Sequence, residues 1–268
     1  MNSNKPLSKF KLAIDYLQYL IKSKDEHGVH SPFVYNLVTQ VLYDRTPFYA
    51  FHQLDAVRNQ LLADNSQIVV EDFGAGSHKL KSNHRKIKDI AKTSLSSTKF
   101  SELYFKLVNR FQANTILELG TSLGLTTSYL AKANSKAKVY TIEGSSSLAN
   151  YSNNVFKRQK IENIELRIGQ FDEVLEPLLT EIQESVDFVF IDGNHQEEAT
   201  LKYFNLVIEK CHNESIIVFD DIRWSRGMLS AWNRIKADDR VTVSLDLFFV
   251  GIVFLRKEQM KENFVLKF

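Results

Sequence analysis

The run TILELGTSLGLTTSYLAKA, from Thr115 to Ala133, constrains the fold more than any other part of this chain. A short apolar strand leads into a glycine-bearing turn, and a helical segment follows at once. Gly120 lets the chain turn sharply after the strand. Gly124 lets a ligand or a neighbouring strand approach the start of the helix, where free backbone N–H groups point outward. That is the arrangement of a cofactor cradle. The G-x-G-x-x-G spacing of a nicotinamide dinucleotide site is missing, which argues against hydride transfer.

From Thr115 onward the apolar runs TILEL, KVYTI, NIELRI, VDFVFI and SIIVF alternate with amphipathic segments. Such alternation predicts an α/β fold with a parallel sheet covered on both faces. The end of the chain departs from it. VTVSLDLFFVGIVFLRK offers two strands around Gly251 with no room for a crossover helix, so they pair antiparallel or lie apart. The first part of the chain reads as three helices, carried by Phe10, Ile14, Leu17 and Ile21, by Val34, Leu37, Val38, Val41 and Leu42, and by Leu54, Val57, Leu61 and Leu62. The expected division is a helical cap with a glycine turn at 1–95, serving as lid and substrate region, and a cofactor domain at 96–268.

The turn from Glu118 to Gly124, followed by the acid Glu143 at the end of the next strand, resembles the class I S-adenosylmethionine-dependent methyltransferases. The resemblance implies a Rossmann-like methyltransferase fold with a mostly parallel seven-stranded sheet and one antiparallel strand. It further implies that Glu118, Gly120, Thr121, Ser122 and Gly124 wrap the methionine part of S-adenosylmethionine. Glu143 would take both ribose hydroxyls, since an ionised carboxylate only accepts and can take two donors at once. Gln170, Phe171 and Asp172 would hold the adenine, although Asp172 equally suits the N-cap of the next helix.

Asp192-Gly193-Asn194-His195 and Asp220-Asp221 follow the next two strands, where open α/β sheets bind ligands. Here the sequence is similar to the metal-dependent small-molecule O-methyltransferases of the catechol and macrocin types. That implies Mg²⁺ on Asp192, Asp220 and Asp221, with Asp192 also near the cofactor. Three carboxylates at adjacent strand ends repel one another, and a hard divalent cation is a usual relief. Alternatively, Asp220 and Asp221 only cap the helix leading through Trp224. His195 stands where catechol-type enzymes carry a lysine base, and an imidazole suits proton removal near neutral pH.

With 268 residues and 44% hydrophobic content the chain can bury a large core, and its formal charge of +2 gives no global preference for polyanions. Cys211, the single cysteine, rules out an intrachain disulfide and is expected on a helix in a packing role. No apolar run is long enough to span a bilayer and no signal peptide opens the sequence, so the expectation is a cytoplasmic protein without a membrane partner. No base-acceptor motif or basic stripe with interleaved aromatics is present, which makes nucleic acid a minority partner. The expected partner is a small-molecule acceptor; a homodimer and a non-catalytic cofactor-binding protein stay open.

Two further stretches invite a ligand. A second glycine turn, IVVEDFGAGS, precedes a basic cluster of His78, Lys79, Lys81, His84, Arg85, Lys86 and Lys88. The cluster suits an anionic substrate, or simply a solvated helix face. The knot His27, His30, Ser31, Pro32 and Phe33 reads as a turn between helices, or as part of a lid over substrate.

Overall fold

The computed structural model describes residues 4–70 and 84–268. The helices in chain order are α1 (Lys9–Lys22), α2 (Pro32–Leu37), α3 (Tyr49–Ala63), α4 (Ile87–Ser94), α5 (Thr98–Phe111), α6 (Leu125–Ala133), α7 (Ser146–Arg158), α8 (Phe171–Glu181), α9 (Glu197–Ile208) and α10 (Arg226–Ala237). The strands are β1 (Gln67–Val69), β2 (His84–Lys86), β3 (Thr115–Leu119), β4 (Lys138–Glu143), β5 (Ile164–Ile168), β6 (Val186–Ile191), β7 (Cys211–Phe219), β8 (Val243–Asp246), β9 (Gly251–Phe254) and β10 (Glu262–Val265). Two compact units divide them, one made of 45–184 and the other of 1–44 together with 185–268.

In the unit of 45–184, β3, β4 and β5 run parallel, with Ile116 beside Val139 and Val139 beside Ile164. Every residue of β3 is buried, as an apolar run covered on both faces should be. β5 is half-exposed, and its outer residues are charged: Glu165 pairs with Lys138 at 2.7 Å and with Arg167 at 2.5 Å. Charge of this kind keeps a strand edge from pairing with another chain. β1 and β2 pair antiparallel, Ile68 opposite Arg85. Most of the second glycine turn, with His78, Lys79 and Lys81, lies outside the described residues. Arg85 and Lys86 belong to β2 and Lys88 to α4.

In the other unit β6 and β7 are parallel, β9 runs antiparallel to both β7 and β8, and β10 lies parallel to β8. The reversed strand expected around Gly251 is therefore β9. An added Cβ on Gly251 would come within 2.6 Å of the Trp232 ring, so the glycine is there for packing. A strand that the sequence pattern did not offer, β10, extends the edge beyond β8, with Phe264 opposite Leu245. Its four residues are too few to carry a periodic signal.

Cys211 opens β7 instead of sitting on a helix, and burial pushes its thiol up to about 12, which leaves it inert. Ser31 accepts the Val34 N–H and Pro32 starts α2, while Phe33 meets Phe254 edge-on at 5.1 Å. Ser31, Pro32 and Phe33 thus form a capped, packed helix start. No described helix is long and apolar enough to cross a membrane.

Candidate functional site

The register of β3 and β4 sets Glu118 beside Thr141, so a carboxyl and a hydroxyl share one buried level of the sheet. Glu118 is fully buried. Its Oε2 accepts hydrogen bonds from the hydroxyls of Thr127 at 2.5 Å and Thr141 at 2.6 Å. Its Oε1 has no partner. Burial pushes this carboxyl up to about 8, against the pull of the two threonine hydroxyls. Thr121 lies 2.6 Å from Thr141 and extends the chain of hydroxyls to the glycine turn. Thr127 and Thr141 escaped sequence reasoning; the signal for Thr141 was its place two residues before Glu143, on the same side of the strand.

The turn itself is bolted to β4. The N–H groups of Gly120 and Thr121 both donate to the Ile142 carbonyl, at 3.0 and 3.3 Å, and Gly124 donates to Thr121 at 2.8 Å. Gly120 has φ 108° and Gly124 φ 76°, the region that glycine enters without strain. What approaches Gly124 is a helix, not a strand: a Cβ there would lie 2.6 Å from the Phe156 ring and 2.9 Å from Ser152, both on α7. No side chain caps α6, so its first turn keeps donors for a ligand.

Glu143 closes β4 with both carboxylate oxygens engaged. Oε2 accepts the Ser122 N–H at 2.8 Å and Oε1 the Ser145 N–H at 2.9 Å. Burial raises its pKa and the backbone donors oppose the rise. A carboxylate has about four acceptor positions, so the backbone donors of Ser122, Ser145 and Gly144 still leave room for a hydroxyl donor. This arrangement fits a ribose hydroxyl. The Gly169 N–H donates to the Glu143 carbonyl at 2.9 Å, which brings the start of Gln170, Phe171 and Asp172 beside the acid. Gln170 is the N-cap residue of α8, so Asp172 sits within the first turn and is not its cap.

In the other unit, Asp192 and His195 follow β6, and Asp220 and Asp221 follow β7. The Asp220 N–H donates to the Ile191 carbonyl at 3.0 Å, which joins the two strand ends. His195 Nε2 lies 3.7 Å from Asp192 Oδ1 and 3.8 Å from Asp221 Oδ2, and its ring meets Trp224 at 5.7 Å between centroids. Burial lowers the imidazole pKa and Asp221 opposes the shift, so the neutral form dominates at neutral pH. A neutral imidazole between two carboxylates can take a proton and hold it.

The expected Mg²⁺ on Asp192, Asp220 and Asp221 gains no support from the arrangement of the described residues. Among the described residues no group of three His, Cys, Asp or Glu side chains is arranged to hold a metal ion. Asp192 and Asp221 face the His195 ring, and Asp220 Oδ1 accepts the Asp221 N–H at 2.8 Å, closing its own turn. Asp221 itself takes a left-handed φ of 54°. Sequence reasoning also missed what holds this loop. Arg223 grips Asp246 through two bonds of 2.7 Å and donates to the Phe248 carbonyl at 2.7 Å, while Trp232 Nε1 donates to Asp246 at 3.3 Å.

A family model described as a methyltransferase domain matches residues 117–222. The chain is 38% identical over 71 residues to an uncharacterized protein of Acanthamoeba polyphaga mimivirus; the match takes in 25% of this chain and 32% of that relative. The chain thus spans about a third of the length of the curated relative it matches. Among solved structures it resembles an O-methyltransferase from Bacillus cereus in complex with S-adenosylhomocysteine, with TM-score 0.57, 19% identity, and coverage of 79% of this chain and 93% of that one. It resembles the O-methyltransferase of tomaymycin synthesis from Streptomyces achromogenes, solved with S-adenosylmethionine, with TM-score 0.53, 18% identity, and coverage of 61% and 82%. A Podospora anserina methyltransferase bound to S-adenosylhomocysteine gives TM-score 0.55, 16% identity, and coverage of 80% and 99%. At these identities the likeness is one of fold.

Proposed function

We propose that the chain is a class I S-adenosylmethionine-dependent methyltransferase, the reading supported by the methyltransferase domain matched over residues 117–222 and by the fold, and that it methylates an oxygen of a small hydroxylated molecule with His195 as general base. The observation that carries the cofactor half is Glu143, held by the Ser122, Ser145 and Gly144 N–H groups with room left for a ribose hydroxyl. When bound, the cofactor supplies an electrophilic methyl group on a sulfonium. Gln170 and Phe171 supply the polar and apolar contacts for an adenine, and the first turn of α6 supplies backbone donors for the methionine end.

His195 takes the proton of the acceptor hydroxyl at Nε2. A bound cofactor would supply the methyl group to that oxygen and leave as a neutral thioether, while the His195 imidazolium would keep the proton. Asp192 and Asp221 stabilise that imidazolium. Among the described residues no cluster is arranged to hold a metal ion, and no step is assigned to one. The likeness in fold to the O-methyltransferase of tomaymycin synthesis supports a small-molecule acceptor.

Calorimetric titration with S-adenosylmethionine and S-adenosylhomocysteine tests the reading. Saturable binding that Glu143→Ala abolishes supports it. A folded protein that binds neither compound, or a Glu143→Ala variant that binds as tightly as the parent, sinks the cofactor assignment.

A further inference from the structure

Helix α1 is apolar on two sides. Inward, Tyr16 and Tyr19 pack on Phe248 with ring centroids 4.9 and 5.3 Å apart, and the Tyr19 hydroxyl donates to the Leu266 carbonyl. Outward, Phe10, Ala13, Leu17, Leu20 and Ile21 recur at helical spacing and form one stripe along the helix. The helical spacing of Phe10, Ile14, Leu17 and Ile21 is the kind that packs against a core, yet Phe10 is 77%, Leu17 60% and Ile21 85% exposed. A single exposed leucine needs no explanation, but a contiguous apolar stripe on a helix does.

Its flanks are predominantly basic, although Asp25 and Glu26 follow directly after Lys24. Lys5, Lys9, Lys11, Lys22 and Lys24 are all exposed. Asp15 is the one acid between residues 5 and 24, and it is already tied to Lys11 at 2.6 Å. A second copy of this chain suits the stripe poorly. Antiparallel helices would set Lys9 and Lys11 against Lys22 and Lys24, and parallel ones would set each lysine against its own counterpart. An anionic lipid surface satisfies both features at once: the boundary with the acyl chains accepts Phe10, Leu17 and Ile21, and the headgroups accept the lysines. Fourteen residues are too few to span a bilayer but enough to lie along one.

We propose that α1 is an interfacial helix that seats the protein on an anionic lipid surface. This inference is independent of the cofactor reading, because methyl transfer and vesicle binding are measured separately. The test is flotation of the full chain with phosphatidylcholine vesicles, with and without phosphatidylglycerol, at low and high salt. The expected result is binding to the anionic vesicles that falls roughly tenfold or more at high salt or without the anionic lipid. Leu17→Ser combined with Ile21→Ser, and separately Lys9→Glu combined with Lys22→Glu, should abolish it with the melting transition intact. A folded parent that stays off anionic vesicles at low salt overturns the proposal, as does a serine variant that floats like the parent. If the parent does not float but scatters light as a dimer that the serine variant splits, the stripe is an interface between copies.

Discussion

Glu118→Gln removes an ionisable proton from the interior while keeping the shape of the side chain. The folded carboxyl holds its proton up to about 8, whereas the ordinary value is 4.5. Between those values the folded state binds a proton that the unfolded state has released, so stability falls as pH rises through the window. Each pH unit is worth about 1.4 kcal/mol, and the full width sets a ceiling of roughly 5 kcal/mol, of which about 2–5 kcal/mol is expected. Glutamine mimics the protonated acid and its carbonyl still accepts from Thr127 and Thr141, so the variant should lack this decline. Urea denaturation of both proteins at pH 5, 6, 7 and 8 reads the difference directly. The gap should widen in favour of the glutamine variant as pH rises. Glu118→Leu serves as a control: it is also insensitive to pH here, but less stable throughout because it orphans two buried hydroxyls. Parallel curves for the parent and the glutamine variant across the window would refute the reasoning, since they would mean that Glu118 is ionised in the folded protein.

Gly124→Ala should lose about 2–4 kcal/mol, because a left-handed φ of 76° and a ring 2.6 Å from the new Cβ act together, and thermal melting checks it. Arg223→Ala leaves the buried Asp246 carboxylate without its countercharge and should cost about 3–5 kcal/mol. Replacing both Arg223 and Asp246 by leucine should recover part of that loss in a double-mutant cycle, and strict additivity would count against the pair. His195→Gln should lower turnover by roughly 10²–10⁴. The parent rate should rise with pH and level off near or below about 6.5, since burial keeps the imidazole below that ordinary value. An unchanged acid limb in the glutamine variant would remove His195 from the proton transfer.

The strand-turn-helix at Thr115 to Ala133 was legible because its signals are local: apolar period, glycine placement and chain direction all agree within one short stretch. The same holds for Glu143, for the strand ends that carry Asp192 and Asp220, and for the reversal around Gly251. What depends on distant neighbours was not legible. The fate of Glu118 hangs on Thr141, which the register of two strands brings to it, and on a burial that no local pattern reports. The aspartates gave an expectation of metal ligation because sequence counts carboxylates but not their directions; only the structure shows Asp220 accepting the Asp221 N–H and Asp192 near the ring of His195. Helix α1 shows the limit from the other side. Its period specified a helix, but only packing decided which apolar side faces Phe248 and which faces water, because a helix with two apolar faces leaves that choice to its tertiary partners.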